Sequence, residues 1–356
     1  MTGVATGRPA RPASSRPGRG VRWFVEGWQP GYGTSFEAAD SAGPGPADDN
    51  TEATDLAVEL EPAAWQALRQ PAEVRAPDVV LLVDGVRRID AALWSDEPDG
   101  VSYPAVAASY AAGVVRCDLR RGAATLAGAR PERGLFTPNA AATDLTFGAI
   151  RYPARLVDHT DPATLAQAVQ PALAALEIAV SEQARADAGA DGELLVVDGP
   201  LRGRQLPTTV GYVKSHSRTY LPAELTPVVT GLRPAERSPV FKHGTRWRNY
   251  SWYLRLPGPR GAPWAGIVRL ECRPDITARA AIALADLSLA ALPRFASTPY
   301  KDPRAPQNLV PIAGLERRLR AMLGDARLLH RALSLSAGGA GGAGGSALRQ
   351  PAVLPR

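Results

Sequence analysis

VVLLVDGVRRIDAALW occupies residues 79–94. Its first five residues are a continuous valine–leucine run, which predicts a buried strand over 79–83. Asp84-Gly85 follows, and VRRIDAALW predicts a second strand over 86–94. Asp-Gly between two strand-like runs is itself a hairpin-turn signal. VAASYAAGVVRCDL (106–119) predicts a third strand. Hairpin-type links make these three strands antiparallel.

The segment that follows decides the class. DPATLAQAVQPALAALEIAVSEQARADAG (161–189) predicts a long helix. Asp161 suits the N-cap and Pro162 the first helical position, while Pro171 should kink or split the helix. Leu165, Val169, Leu173, Leu176 and Val180 fall on one side. ELLVV (193–197) then predicts a fourth strand, which returns across a helical crossover and lies parallel to the first. The fold expected is α/β, a ribonuclease H-like mixed sheet flanked by helices.

Outward from this core, WQALRQ within 62–70 reads as a short helix and 120–160 as loop-rich. TVGYVKSHSRTYL (209–221), NYSWYLRLP (249–257) and WAGIVRLEC (264–272) read as strands, and helices are expected at about 276–292 and 312–333. Residues 1–20 are Arg, Pro, Gly and Ser, the composition of a disordered basic tail. Residues 21–54 form an N-terminal extension and soft linker. Within it, VRWFVEGWQPGYGTSFE is aromatic enough to pack on the body, whereas 38–54 is soft and acidic. The folded domain is expected over 55–333, with a flexible Gly/Ala-rich tail at 334–356.

Composition removes several classes. The 356 residues carry 45% apolar residues and a net charge of +6, the balance of a globular chain. No apolar run of about 18 residues is present, so no membrane-spanning helix is expected. The first residues lack the apolar core of a secretory signal. Cys117 and Cys272 are too few for a disulfide framework or a four-ligand zinc site. A cytoplasmic location is the natural expectation. The basic residues are almost all arginine, lysine standing only at Lys214, Lys242 and Lys301. His159, His216, His243 and His330 show no metal-ligand spacing, and there is no phosphate-binding GxxxxGK loop and no GxSxG elbow.

Three carboxylates carry the chemistry. Asp84 and Asp198 each end an apolar strand, and adjacent parallel strands bring such ends together. A glutamate on the intervening helix is the third. Glu177 borders the apolar stripe beside Leu176, whereas Glu182 lies far off that face, so Glu177 is favoured. Carboxylates converging there repel one another unless a cation sits among them. Mg²⁺ and Mn²⁺ accept such all-oxygen sites and serve phosphodiester hydrolysis. Lys214 lies in a run of Lys, His, Ser and Arg suited to a phosphate track, with Arg218 four residues on. FKHGTRWRNYSWYLR (241–255) interleaves Lys242, Arg246 and Arg248 with aromatics, a pattern suited to single-stranded nucleic acid, although an ordinary amphipathic strand with packing aromatics is the favoured reading.

In order along the chain, VVLLVDGVRR, LAALEIAVSEQA, ELLVVDGPL, VGYVKSHSRTYL, the late strands WYLRL and AGIVRLEC, and STPYKDPRAPQNLVPIAGLERRLRAML resemble the NurA nuclease family over residues 55–333. The resemblance implies a ribonuclease H-like nuclease that forms homodimers, prefers Mn²⁺, and combines single-strand endonuclease with 5′–3′ exonuclease activity. It also implies action in DNA end resection beside a HerA-type hexameric ATPase. Carried across, Asp84, Glu177 and Asp198 would hold the metal, and Lys214 would face the scissile phosphate. The family places a histidine or aspartate just before its last helix, where this chain has Gln307-Asn308. Asn308 offers a weaker, neutral carbonyl ligand, and Asp302 is the carboxylate six residues earlier. That departure motivates the alternative expectation of a catalytically weakened DNA-binding or assembly subunit.

Overall fold

The computed structural model describes residues 22–25, 35–36 and 54–339, apart from 99, 189–191, 202–203, 215–219, 244–247, 260 and 303. The tail expected over 1–20 and most of the linker expected over 38–54 lie outside the described residues.

The architecture is α/β, with one large mixed sheet flanked by helices. Its principal strands are β1 (Arg22–Val25), β2 (Val79–Asp96), β3 (Ser102–Asp118), β4 (Ala123–Thr137), β5 (Glu193–Asp198), β6 (Thr209–Val213), β7 (Tyr250–Arg255) and β8 (Ile267–Cys272). Four helices matter here: α1 (Val169–Ala188), α2 (Ala278–Ala291), α3 (Val310–Met322) and α4 (Ala326–Gly339). The central order is β7-β8-β6-β5-β2-β3-β4. β2, β3 and β4 form an antiparallel meander, and β5 lies parallel to β2 after the α1 crossover. β6 is parallel to β5 and antiparallel to β8. This is the strand arrangement expected of a ribonuclease H-like core.

The meander is built differently from the expectation. Residues 79–96 are a single strand, so Asp84-Gly85 is not a turn. Asp84 and Gly85 pair in register with Gly113 and Ala112 of β3. The glycine answers to close packing instead. An ideal Cβ at Gly85 would lie 2.5 Å from Glu177 Oε1 and 2.7 Å from Leu173 Cδ1, both on α1. The third meander strand is β4, inside the stretch expected to be loop-rich. The short helix expected within 62–70 reduces to one 3-10 turn at Pro62–Ala64, after which Leu68–Arg69 joins the sheet.

The N-terminal aromatic segment does pack on the body where it is described. Ser35–Phe36 pairs with the middle of β2 and β1 with its end, and Trp23 is buried. The break in the long helix falls before Pro171, as a 3-10 turn at Ala166–Ala168. Pro171 then sits in the first turn of α1, where its missing N–H costs little. The last expected helix divides into α3 and α4, with Gly324 between them at φ +80°. α4 runs to Gly339, past residue 333.

Strand parity sorts the core into two faces. Val79, Leu81, Val83 and Leu195 pack with Leu173, Leu176 and Val180 of α1. Val80, Leu82, Val86, Leu194 and Val196 belong to the cluster holding Ile312, Leu315 and Leu319 of α3 and Ala281, Ala285 and Leu289 of α2. A bulge between Ile89 and Ala91 shifts this alternation by one residue. There the buried Asp90 accepts from Arg88 Nε at 2.8 Å and Tyr152 OH at 2.8 Å.

Candidate metal centre

Val83 and Val197 are the last paired residues of the parallel ladder between β2 and β5. Asp84 and Asp198 follow them directly. Both are even-numbered, so both share the parity of Val80, Leu82, Leu194 and Val196, the face covered by α3. Glu316 stands on α3 beside Leu315 in that cover. One carboxylate oxygen from each of Asp84, Asp198 and Glu316 lies within 4.8 Å of the others.

Asp84 is buried, at 9% exposure. Its Oδ1 accepts from the Gly85 N–H at 2.7 Å, while its buried Oδ2 has no hydrogen-bond partner among the described residues. Burial, then the neighbouring charge of Asp198, pushes its carboxyl well above the usual carboxylate range, with Lys214 opposing. Lys214, one residue past β6, donates from Nζ to Asp198 Oδ2 at 2.6 Å and to Asn308 Oδ1 at 3.1 Å. Burial works against that ammonium, but the Asp198 and Asp84 charges outweigh it and raise its pKa. Glu316 pairs with Arg304 at 3.1 Å and Arg320 at 3.6 Å.

The backbone around the group is held from several sides. Gly199 turns the chain after Asp198 at φ +109°, a conformation glycine adopts freely. The next turn is fixed by Glu271, whose Oε1 accepts from the Leu201 N–H at 2.6 Å. Tyr212 on β6 donates to the Gln307 carbonyl at 2.6 Å, tying the segment before α3 to the sheet. Within that segment Asn308, fully buried, donates through Nδ2 to Asp302. Hydrogen bonds from Asn308 and the Arg304 N–H hold the Asp302 carboxyl below its ordinary range, although burial pulls the other way.

Of the residues singled out in the sequence, the structure gathers Asp84, Asp198, Lys214 and Asn308, with Asp302 beside them. Glu177 stands on α1, on the other face of the sheet, and its carboxylate pairs with the buried Arg204. It remains near enough to add to the charge felt by Asp84. Glu182 is exposed. Lys242 packs over the Tyr250 ring at 4.6 Å, and Arg248 is exposed at φ +46°. Arg218 and Arg246 lie outside the described residues. Glu316 escaped the sequence reading, although the signal that selected Glu177 also marks it, since it follows Leu315 inside an apolar helix stripe.

The donor set suits a hard divalent cation. Two oxygens bound to one such ion stand up to about 4.2 Å apart, so small side-chain rotations close this group around it. Asp84 Oδ2, without a hydrogen-bond partner among the described residues, is an oxygen that a cation there would satisfy. No protein-family model and no curated protein matches the chain.

Proposed function

We propose that this protein is a divalent-metal-dependent deoxyribonuclease of NurA type, in which Asp84, Asp198 and Glu316 hold Mn²⁺ or Mg²⁺. The observation that carries this reading is the three-carboxylate group, in which Asp84 has a buried oxygen without a hydrogen-bond partner among the described residues. A bound cation supplies Lewis-acid polarisation of a phosphodiester oxygen. Lys214 and Arg304 stand beside the carboxylates as donors for non-bridging phosphate oxygens, fixing the orientation of the strand. The proposal extends to single-strand endonuclease and 5′–3′ exonuclease activity in DNA end processing, as a cytoplasmic, nucleoid-associated homodimer beside a HerA-type ATPase. No helix among the described residues is long and apolar enough to cross a membrane. Incubation of the purified chain with single-stranded DNA and Mn²⁺ tests the core of it. Cleavage lost on chelation and in Asp198→Ala is expected, and unchanged cleavage by Asp198→Ala would sink the assignment.

A second reading has its own observation. The ammonium of Lys214 already neutralises Asp198, and Asn308 brings no charge. A weakened DNA-binding or assembly subunit would show salt-dependent DNA binding with no metal-dependent turnover.

A further inference from the structure

Lys214 is a cation held among the residues that the preceding reading assigns to a metal. Its Nζ has two acceptors of different kinds, the charged Asp198 Oδ2 at 2.6 Å and the neutral Asn308 Oδ1 at 3.1 Å. Asn308 cannot turn away readily, because it is fully buried and its Nδ2 is engaged by Asp302. The Arg304 and Arg320 side chains on Glu316 are about one-third exposed and can turn to water, whereas the Lys214 side chain is 21% exposed and needs an acceptor inside the protein.

We propose that Lys214 is a built-in counter-ion that yields Asp198 to an incoming divalent cation and is then retained by Asn308, with Asp302 holding the amide in place. This rests on the reading of Asp84, Asp198 and Glu316 as a cation site. Asn308 is then a positioning residue that acts through Lys214 and does not ligate the metal. The neutral amide is suited to this task, since it accepts from the ammonium without drawing the metal away from Asp198.

Calorimetric titration of the full chain with Mn²⁺ alone, without DNA, tests it. Lys214→Met removes the competing charge at similar length and should tighten Mn²⁺ binding about tenfold. Lys214→Gln should do the same, separating charge from packing. Asn308→Ala should weaken binding several-fold in the wild-type background and have no effect in Lys214→Met, because its influence passes through the ammonium. Weaker or unchanged binding in both Lys214 variants, with wild type still binding, overturns the counter-ion role and leaves the metal site standing. Equal loss from Asn308→Ala in both backgrounds overturns the positioning role in favour of direct ligation. Absence of binding by wild type and both Lys214 variants overturns the metal reading itself, and the proposal with it.

Discussion

Asp84 and Asp198 occupy equivalent places on two neighbouring parallel strands, each one residue beyond the Val83–Val197 pair that ends the ladder. Neighbouring strands lie about 4.8 Å apart, so the register alone brings two carboxylates together. One of them is buried with an oxygen that has no hydrogen-bond partner among the described residues. Replacing Asp84 by Asn removes the charge and keeps the shape. Cleavage should fall by about a hundred- to a thousandfold, as expected when a charge-stabilising group is lost. The metal-free protein should become more stable at neutral pH, because a buried charge and its repulsion with Asp198 are removed. Cleavage assays beside thermal melts in chelator measure both.

The same group sets a pH dependence. The folded-state pKa of Asp84 is raised above the unfolded value of about 3.9. Its contribution to stability is therefore full below that unfolded value and is lost as pH rises through the raised folded value. Asp84→Asn lacks this loss. The stability advantage of Asp84→Asn over wild type should widen from pH 4 upward, in paired melts without metal. A constant difference across that range would contradict the raised pKa.

Glu316 and Glu177 should separate cleanly. Glu316→Gln removes one of the three clustered carboxylates and should weaken Mn²⁺ binding more than about tenfold. Glu177→Gln should leave that affinity within about threefold. It leaves the buried Arg204 guanidinium without its charged partner, costing about 1.5–3 kcal/mol in chemical denaturation.

Gly85→Ala tests why a glycine follows Asp84. The added methyl meets Leu173 and Glu177, and overpacking of this kind costs about 1–3 kcal/mol. A turn requirement would instead predict trouble from φ, yet Gly85 is paired within β2. A neutral outcome in denaturant titration would show that α1 gives way.

Asp84, Asp198 and Lys214 were legible in the sequence because each sits at or near the end of an apolar, β-branched run, and such runs leave little choice of structure. The choice of glutamate was not. Glu177 and Glu316 both border apolar helix stripes, and only the parity of β2 and β5 decides which helix shares a face with Asp84. β4 was hidden for a different reason. AATLAGARPERGLFT has low β-propensity, much of it is exposed, and Pro131 interrupts it. Its strand character comes from pairing with β3 along most of its length. Pro131 is tolerated because, among the described residues, only Leu135–Thr137 of β4 has a partner on the other side.

The eighteen residues of β2 outrun β5, which accompanies only Val79–Val83. Beyond the candidate site that flank of β2 is taken up by Ser35–Phe36 and β1, opposite Arg87–Arg88 and Leu93–Asp96. A chain begun at residue 55 would keep every carboxylate of the site yet bare these backbone groups, a ready template for strand addition. Segments that read as an appendage thus cover an open strand edge. Trimming them would be felt as aggregation before it was felt as lost chemistry.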